Sequence, residues 1–276
     1  MTRRVAFSYP ASFDGRWHNE LPEFACTANA VSLMMPYAEP YVVKAVRRAL
    51  PHLEGELKGQ TEEFLAQEME HHRQHRRFND LLVAEEPGLA RIESWMRRTF
   101  DWLNRTRSEA FGLAFAAGFE TVAYTAARWI EARLGRLLHG ADDIPATLFL
   151  WHLAEEVEHK SVARDVYNER CNSRWTYVVG MVWSMVLLAA FSAVGSTYLL
   201  FRQHRLHRPV TYWRMLTWSV SFAFELLPAM AVSAFAGHHP SNLVDPLFYE
   251  LWLREFDQEA GTMPVWNRSE AAINQQ

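Results

Sequence analysis

The sequence predicts an all-α fold: a four-helix bundle with an appended apolar helical hairpin. Three observations carry this expectation. Strand signals are scarce, while apolar residues recur at helical spacing over most of the chain. Two Glu-x-x-His pairs, Glu68/His71 and Glu156/His159, lie within such stretches. Finally, the run Trp175–Phe201 contains no charged residue.

The bundle helices are expected near Ala28–Leu50, Thr61–Val83, Gly88–Asn104, Ser108–Leu137 and Ile144–Asn172. Pro51, Pro87 and Pro145 punctuate the joins, and Gly140 closes another. Asp143 suits an N-cap, with Pro145 in the first turn after it. The expected division is an extension over 1–27, a bundle over 28–172, the hairpin over 173–237 and a C-terminal segment over 238–276.

With 276 residues and 49% hydrophobic content, the chain can bury a sizeable core. A net charge of -4 with both signs interspersed argues against nucleic acid as a partner. Two cysteines, Cys26 and Cys171, supply neither a disulfide framework nor a thiolate metal site, so any metal is held by oxygen and nitrogen. Met1–Trp17 lacks the apolar run of a signal peptide, and a cytoplasmic location is the expectation.

Residues three apart share a helix face, so each Glu-x-x-His offers a carboxylate and an imidazole to one point. Chance alone supplies roughly one such pair in a chain of this composition. Context raises the weight of these two. Glu120 is the only ionisable carboxylate in the apolar stretch Ala110–Ala127, and a buried carboxylate needs a partner charge, hydrogen bonds or a metal. A water-facing Glu is the plainer alternative. Glu39 precedes Glu68 by a gap that suits a helical hairpin, as Glu120 precedes Glu156; Glu54 and Glu62 compete with it, and Pro40 would kink or start a helix. His152 lies one turn before Glu156, and His75 one turn after His71. Each is a candidate ligand or a neighbour that holds one, with His152 favoured as the ligand. Glu155 points about 100° from Glu156 and is expected beside the ligands or at the surface. Tyr124, one turn after Glu120, is expected to donate to a ligand carboxylate or to fill the core.

Two Glu-x-x-His pairs plus one Glu from each of two further helices is the ligand pattern of ferritin-like di-iron bundles. The segments Pro36–Arg47, Gln67–Asn79 and His152–Tyr167 resemble the bacterial family described as predicted metal-dependent hydrolases. That resemblance spans roughly residues 20–260 and implies that Glu39 is a ligand. The order Glu39, Glu68, His71, Glu120, His152, Glu156, His159 is also similar to that of di-iron arylamine N-oxygenases, in ligand order and fold type only.

The leading functional expectation is a non-haem di-iron oxidoreductase or oxygenase. It would hold two Fe ions, with Mn as the alternative, and use dioxygen on an apolar lipid-like or aromatic substrate. An external electron donor is expected, because the sequence shows no flavin, nicotinamide or iron–sulfur motif. One alternative is a metal-dependent hydrolase using a metal-bound hydroxide. Another is a non-catalytic, membrane-associated helical protein. Phosphate loops and Gly-x-Ser-x-Gly are absent.

Trp175–Phe201 is long enough to cross hydrocarbon, and Met215–Ala236 would return. Trp175, Tyr177 and Tyr198 suit interfacial positions, with Arg174 and Arg202 outside them. Arginines flank both ends, which favours a shallow hairpin or a soluble lid over a spanning pair. The expected partner of residues 175–236 is a membrane surface, with association at the inner membrane, or a second copy of the chain. Glu225 interrupts the second run and is expected to pair with Arg214 or another cation.

Overall fold

A computed structural model describes residues 4–5, 7–10, 13–235, 239–255 and 262–263. The fold is all-α, apart from a two-residue parallel pairing of Arg4–Val5 with Thr262–Met263. The long helices are α1 (Pro22–Ala49), α2 (Gly55–Glu85), α3 (Leu89–Thr106) and α4 (Glu109–Glu131). A short α5 (Leu134–Leu138) leads to α6 (Asp143–His159) and α7 (Val162–Arg170). Two further long helices, α8 (Arg174–Arg202) and α9 (Pro209–Ala234), precede α10 (Leu247–Glu255).

Helix α1 begins at Pro22, earlier than expected, because a proline in the first turn loses no hydrogen bond there. It also runs through Pro36 and Pro40 without ending. Each proline withdraws an N–H from the carbonyl four residues earlier. Helix α2 supplies a replacement at the first of them: the Asn79 amide donates to the Ser32 carbonyl at 2.8 Å. Glu39 is thereby kept inside a continuous helix and is fully buried.

Two breaks lack any sequence punctuation. The helix expected over Ser108–Leu137 stops at Glu131, where the Arg133 guanidinium bonds the Trp129 carbonyl at 2.9 Å and pairs with Glu225. The helix expected over Ile144–Asn172 steps at Lys160–Ser161, where Lys160 reaches the Leu243 carbonyl and Asp245. Asp142, not Asp143, occupies the N-cap of α6, and it makes no side-chain cap bond. Ser108 does cap α4, accepting from the Phe111 amide.

Helix α4 is the central element. It touches α1, α6, α7, α8 and α9, which explains why it is apolar on nearly every side. Helix α8 packs closely along α4 and α1. Gly118 faces Met181, and a Cβ on Gly180 would come within 2.5 Å of the Ala114 carbonyl carbon, so the two backbones meet with no room for side chains. Among the described residues, three helices (α4, α8 and α9) are long and apolar enough to cross a membrane. Their surroundings differ: 78% of the most apolar window is buried within the protein for α4, 28% for α8 and 11% for α9.

Candidate metal centre

Four helices direct carboxylates and imidazoles to one place in the core. Helix α1 brings Glu39, α2 brings Glu68, His71 and His75, α4 brings Glu120, and α6 brings His152, Glu155, Glu156 and His159. All nine are buried. Their ligand atoms form overlapping groups within 4.8 Å of one another: Glu68 with Glu120, Glu156 and His159; His71 with His152 and Glu156; and Glu39 with Glu68 and His71. A further group joins Glu39, His75 and His152. Glu54 and Glu62 are exposed on the surface and take no part.

Three imidazoles have an outer nitrogen tied to a neighbour and an inner nitrogen aimed at carboxylates. His71 Nε2 lies 3.0 Å from Glu155 Oε2, while Nδ1 lies 3.7 Å from both Glu68 Oε1 and Glu156 Oε1. His159 Nε2 lies 2.7 Å from Gln67 Oε1. Because the Gln67 amide nitrogen donates to Glu158, its oxygen must accept from His159. In the neutral ring this leaves the Nδ1 lone pair facing Glu68 Oε1 at 3.2 Å.

His152 is set the same way through a longer chain. The Ser32 hydroxyl donates to Asn79 Oδ1 at 2.7 Å, so Ser32 Oγ accepts from His75 Nδ1 at 2.8 Å. His75 Nε2 then accepts from His152 Nδ1 at 2.9 Å. The remaining lone pair, on His152 Nε2, faces Glu156 Oε1 at 3.0 Å. Lone pair against carboxylate is repulsive unless a cation stands between them. Holding the outer nitrogen of a ligand histidine is the usual means of fixing its tautomer.

The carboxylates are short of donors. Both oxygens of Glu39, Glu120 and Glu156, and one oxygen of Glu68, are buried without a hydrogen-bond partner, as is His71 Nδ1. An unpaired buried charge is strongly unfavourable, so such a group is neutralised by a proton or a metal. Burial, reinforced by the Glu68 charge, holds the Glu39 carboxyl well above the usual range. Burial and the charges of Glu156 and Glu68 do the same for Glu120. Burial also opposes ionisation of Glu156 and Glu68, but the neighbouring imidazoles prevail and both are lowered. Burial disfavours the His71 cation, yet Glu155 and Glu68 raise it well above its usual value. Burial, with His152 and His71 nearby, pushes His75 well below its usual value.

The apolar wall is aromatic. The Trp151 ring meets His71 edge-on at 4.8 Å, and Phe64 meets His159 at 4.9 Å. Four carboxylates, Glu39, Glu68, Glu120 and Glu156, match the charge of two divalent cations. With three imidazoles, this oxygen and nitrogen donor set fits such a pair.

The chain belongs to the family described as predicted metal-dependent hydrolases. The family model matches residues 1–243, from before α1 to beyond α9. No curated protein and no solved structure matches the chain. The family description implies a metal-dependent enzyme, and the buried Glu and His groups could hold its metal.

The residues around these ligands take the following places. Tyr124 does not reach a carboxylate; its hydroxyl donates to the Val244 carbonyl at 2.6 Å, because the C-terminal segment passes over that side of α4. Glu155 is fully buried beside His71. Sequence reasoning missed Gln67, Ser32 and Asn79, which orient the imidazoles. Glu225 pairs with Arg133 at 3.0 Å, while Arg214 is taken by Glu23 at 2.8 Å.

Proposed function

We propose that this family member is a dinuclear metal enzyme whose reaction class is hydrolysis. The observation that carries the metal centre is the set of donor-starved carboxylate oxygens from four helices, faced by inner nitrogens of three imidazoles. The family description supports hydrolysis as the reaction class. In this reading Glu39, Glu68, Glu120, Glu156, His71, His152 and His159 hold the cations. A divalent pair supplies Lewis acidity and lowers the pKa of water in its open positions.

The chain's own residues divide the remaining work. Glu155, Gln67 and the Ser32–His75 chain fix the ring orientations. Trp151 and Phe64 exclude bulk water from two of the rings. The His152 side chain is 9% exposed, more than the other ligands, so substrate approaches from its side.

A second reading is oxidation by dioxygen on an apolar substrate, with iron or manganese bound and electrons from an external donor. The donor chemistry favours it: carboxylates and imidazoles without thiolate suit iron and manganese. The test loads metal-stripped protein with zinc, manganese or ferrous iron. It follows hydrolysis of an ester series under argon, and oxygen uptake with an added reductase. Hydrolysis with manganese or zinc in the absence of oxygen is the expected result. Oxygen uptake dependent on iron, with no hydrolysis, would establish the second reading, and failure to retain any metal would overturn both.

A further inference from the structure

Helix α9 is built inside out. Most of its polar side chains face the protein: Thr211 and Arg214 bond Glu23, Ser221 accepts from the Trp129 indole, Glu225 pairs with Arg133, and Ser233 bonds Tyr177 of α8. Its large apolar residues face outward in a stripe at helical spacing, with Trp213 67%, Leu216 58%, Phe224 76% and Leu227 56% exposed. The outward face of α8 continues the pattern through Trp175, Val179, Val186 and Val194, and it carries no charge between Trp175 and Phe201. A helix that meets water shows the opposite arrangement.

We propose that the outward face of α8 and α9 docks onto an anionic lipid surface and lies along it. The charge pattern selects this occupant. From Arg170 to Phe224 the sequence holds six arginines and no acidic residue; of these Arg214 pairs with Glu23 and Arg202 with Glu86. Arg202, Arg205 and Arg208 cluster at the turn between the two helices, and Arg174 stands at the far end of α8. Basic residues around an inserted apolar face match anionic headgroups. In a two-fold pairing with a second copy, the same patch meets itself, and the arginines would face one another.

The helices lie flat because they are fastened along their length to α1 and α4. The next layer, α2 and α3, carries exposed charges such as Glu62, Glu63, Arg97 and Asp101. Helix α8 therefore cannot pass through hydrocarbon without drawing those charges in. Docking stands on the exposed face alone and does not require the metal centre.

The test is flotation of the full chain with phosphatidylcholine vesicles, with and without phosphatidylglycerol, paired with light scattering in vesicle-free buffer. The expected result is flotation that is strong on the anionic vesicles and weakened by salt. Leu216→Glu/Phe224→Glu is expected to float at least about tenfold less, with unchanged circular dichroism and metal content. Arg205→Gln/Arg208→Gln is expected to lose about fivefold per arginine on anionic vesicles only. No flotation of the wild type, flotation of both variants equal to that of the wild type, or a dimer that Leu216→Glu/Phe224→Glu converts to monomer would each overturn the proposal.

Discussion

The metal centre and the α8–α9 flank break the same rule in opposite directions. Around Glu120 the protein buries carboxylates that lack donors; along α9 it exposes Trp213 and Phe224 to the outside. Charged groups are normally outside and large apolar groups inside, so both regions are incomplete as a protein alone. The difference lies in what completes each. The interior lacks positive charge at fixed points, which a small cation supplies. The flank lacks a nonpolar medium over a long strip, which a lipid surface supplies. Stability is therefore expected to respond differently to substitutions in the two places.

The largest effect is expected at Glu120. Glu120→Leu removes a carboxylate that lies beside Glu68, Glu156 and His159, so metal content should fall to background. The metal-free variant should at the same time become more stable than the metal-free wild type, by about 1 kcal/mol or more, because a buried carboxyl without hydrogen-bond partners is gone. Metal analysis and thermal melts of both metal-free proteins check this. A variant less stable than metal-free wild type would show that Glu120 has a structural partner. On the flank, Leu216→Glu/Phe224→Glu should change the melting free energy by no more than about 0.5 kcal/mol per site in vesicle-free buffer.

Next in size is the seam joining the two regions. Gly180→Leu pushes a side chain into the α4 backbone at Ala114 and Phe115, and is expected to destabilise the fold by about 3 kcal/mol. Denaturant melts measure it. A mild effect would mean that α8 can move away from the bundle without disturbing it.

The metal-free protein should also lose stability as pH rises from about 5 to 8. Glu39, Glu120 and His71 have folded-state values above their unfolded ones. Their contribution is complete at low pH and disappears as pH climbs through the folded values. His75, lowered on folding, acts in the reverse sense as pH rises to its unfolded value, one group against three. Glu68 and Glu156, also lowered, are ionised in both states across this window. Saturating metal should flatten the profile. Melts at several pH values with and without metal test both halves of this statement.

The smallest effect is expected at Ser32. Ser32→Ala removes the acceptor of His75 Nδ1 and loosens the tautomer of His152, weakening metal affinity by about tenfold. A competition titration against a chelator reads this. The visible spectrum of the cobalt-loaded protein should shift as well, which a purely structural role for Ser32 would not cause.

What could be read from the sequence follows from how unusual each residue is in its place. Glu120 stands out because a carboxylate in an apolar helix is rare, and the two Glu-x-x-His pairs stand out because a helix turns once in about 3.6 residues. Ser32, Gln67 and Asn79 gave no such signal; polar residues on a helix usually face water, and only the packing of α1 on α2 and of α2 on α6 buries these. The prolines of α1 illustrate a second gap. Pro40 looks like a boundary by local pattern, yet α1 continues through it, packed against α2. The breaks after Glu131 and His159 lie beside the long-range contacts of Arg133 with Glu225 and of Lys160 with the Leu243 carbonyl, which no local pattern encodes. Tyr124 was aimed correctly along α4, but the chain segment that takes its hydroxyl lies 120 residues further on.

Inductively coupled plasma mass spectrometry on the folded chain, after incubation with ferrous or manganous ions and exhaustive dialysis, tests the central claim most directly. About two divalent ions per chain, held at substoichiometric chelator, is the predicted result. A folded protein that retains none would contradict the account, because its buried carboxylates would then be neutralised by protons alone.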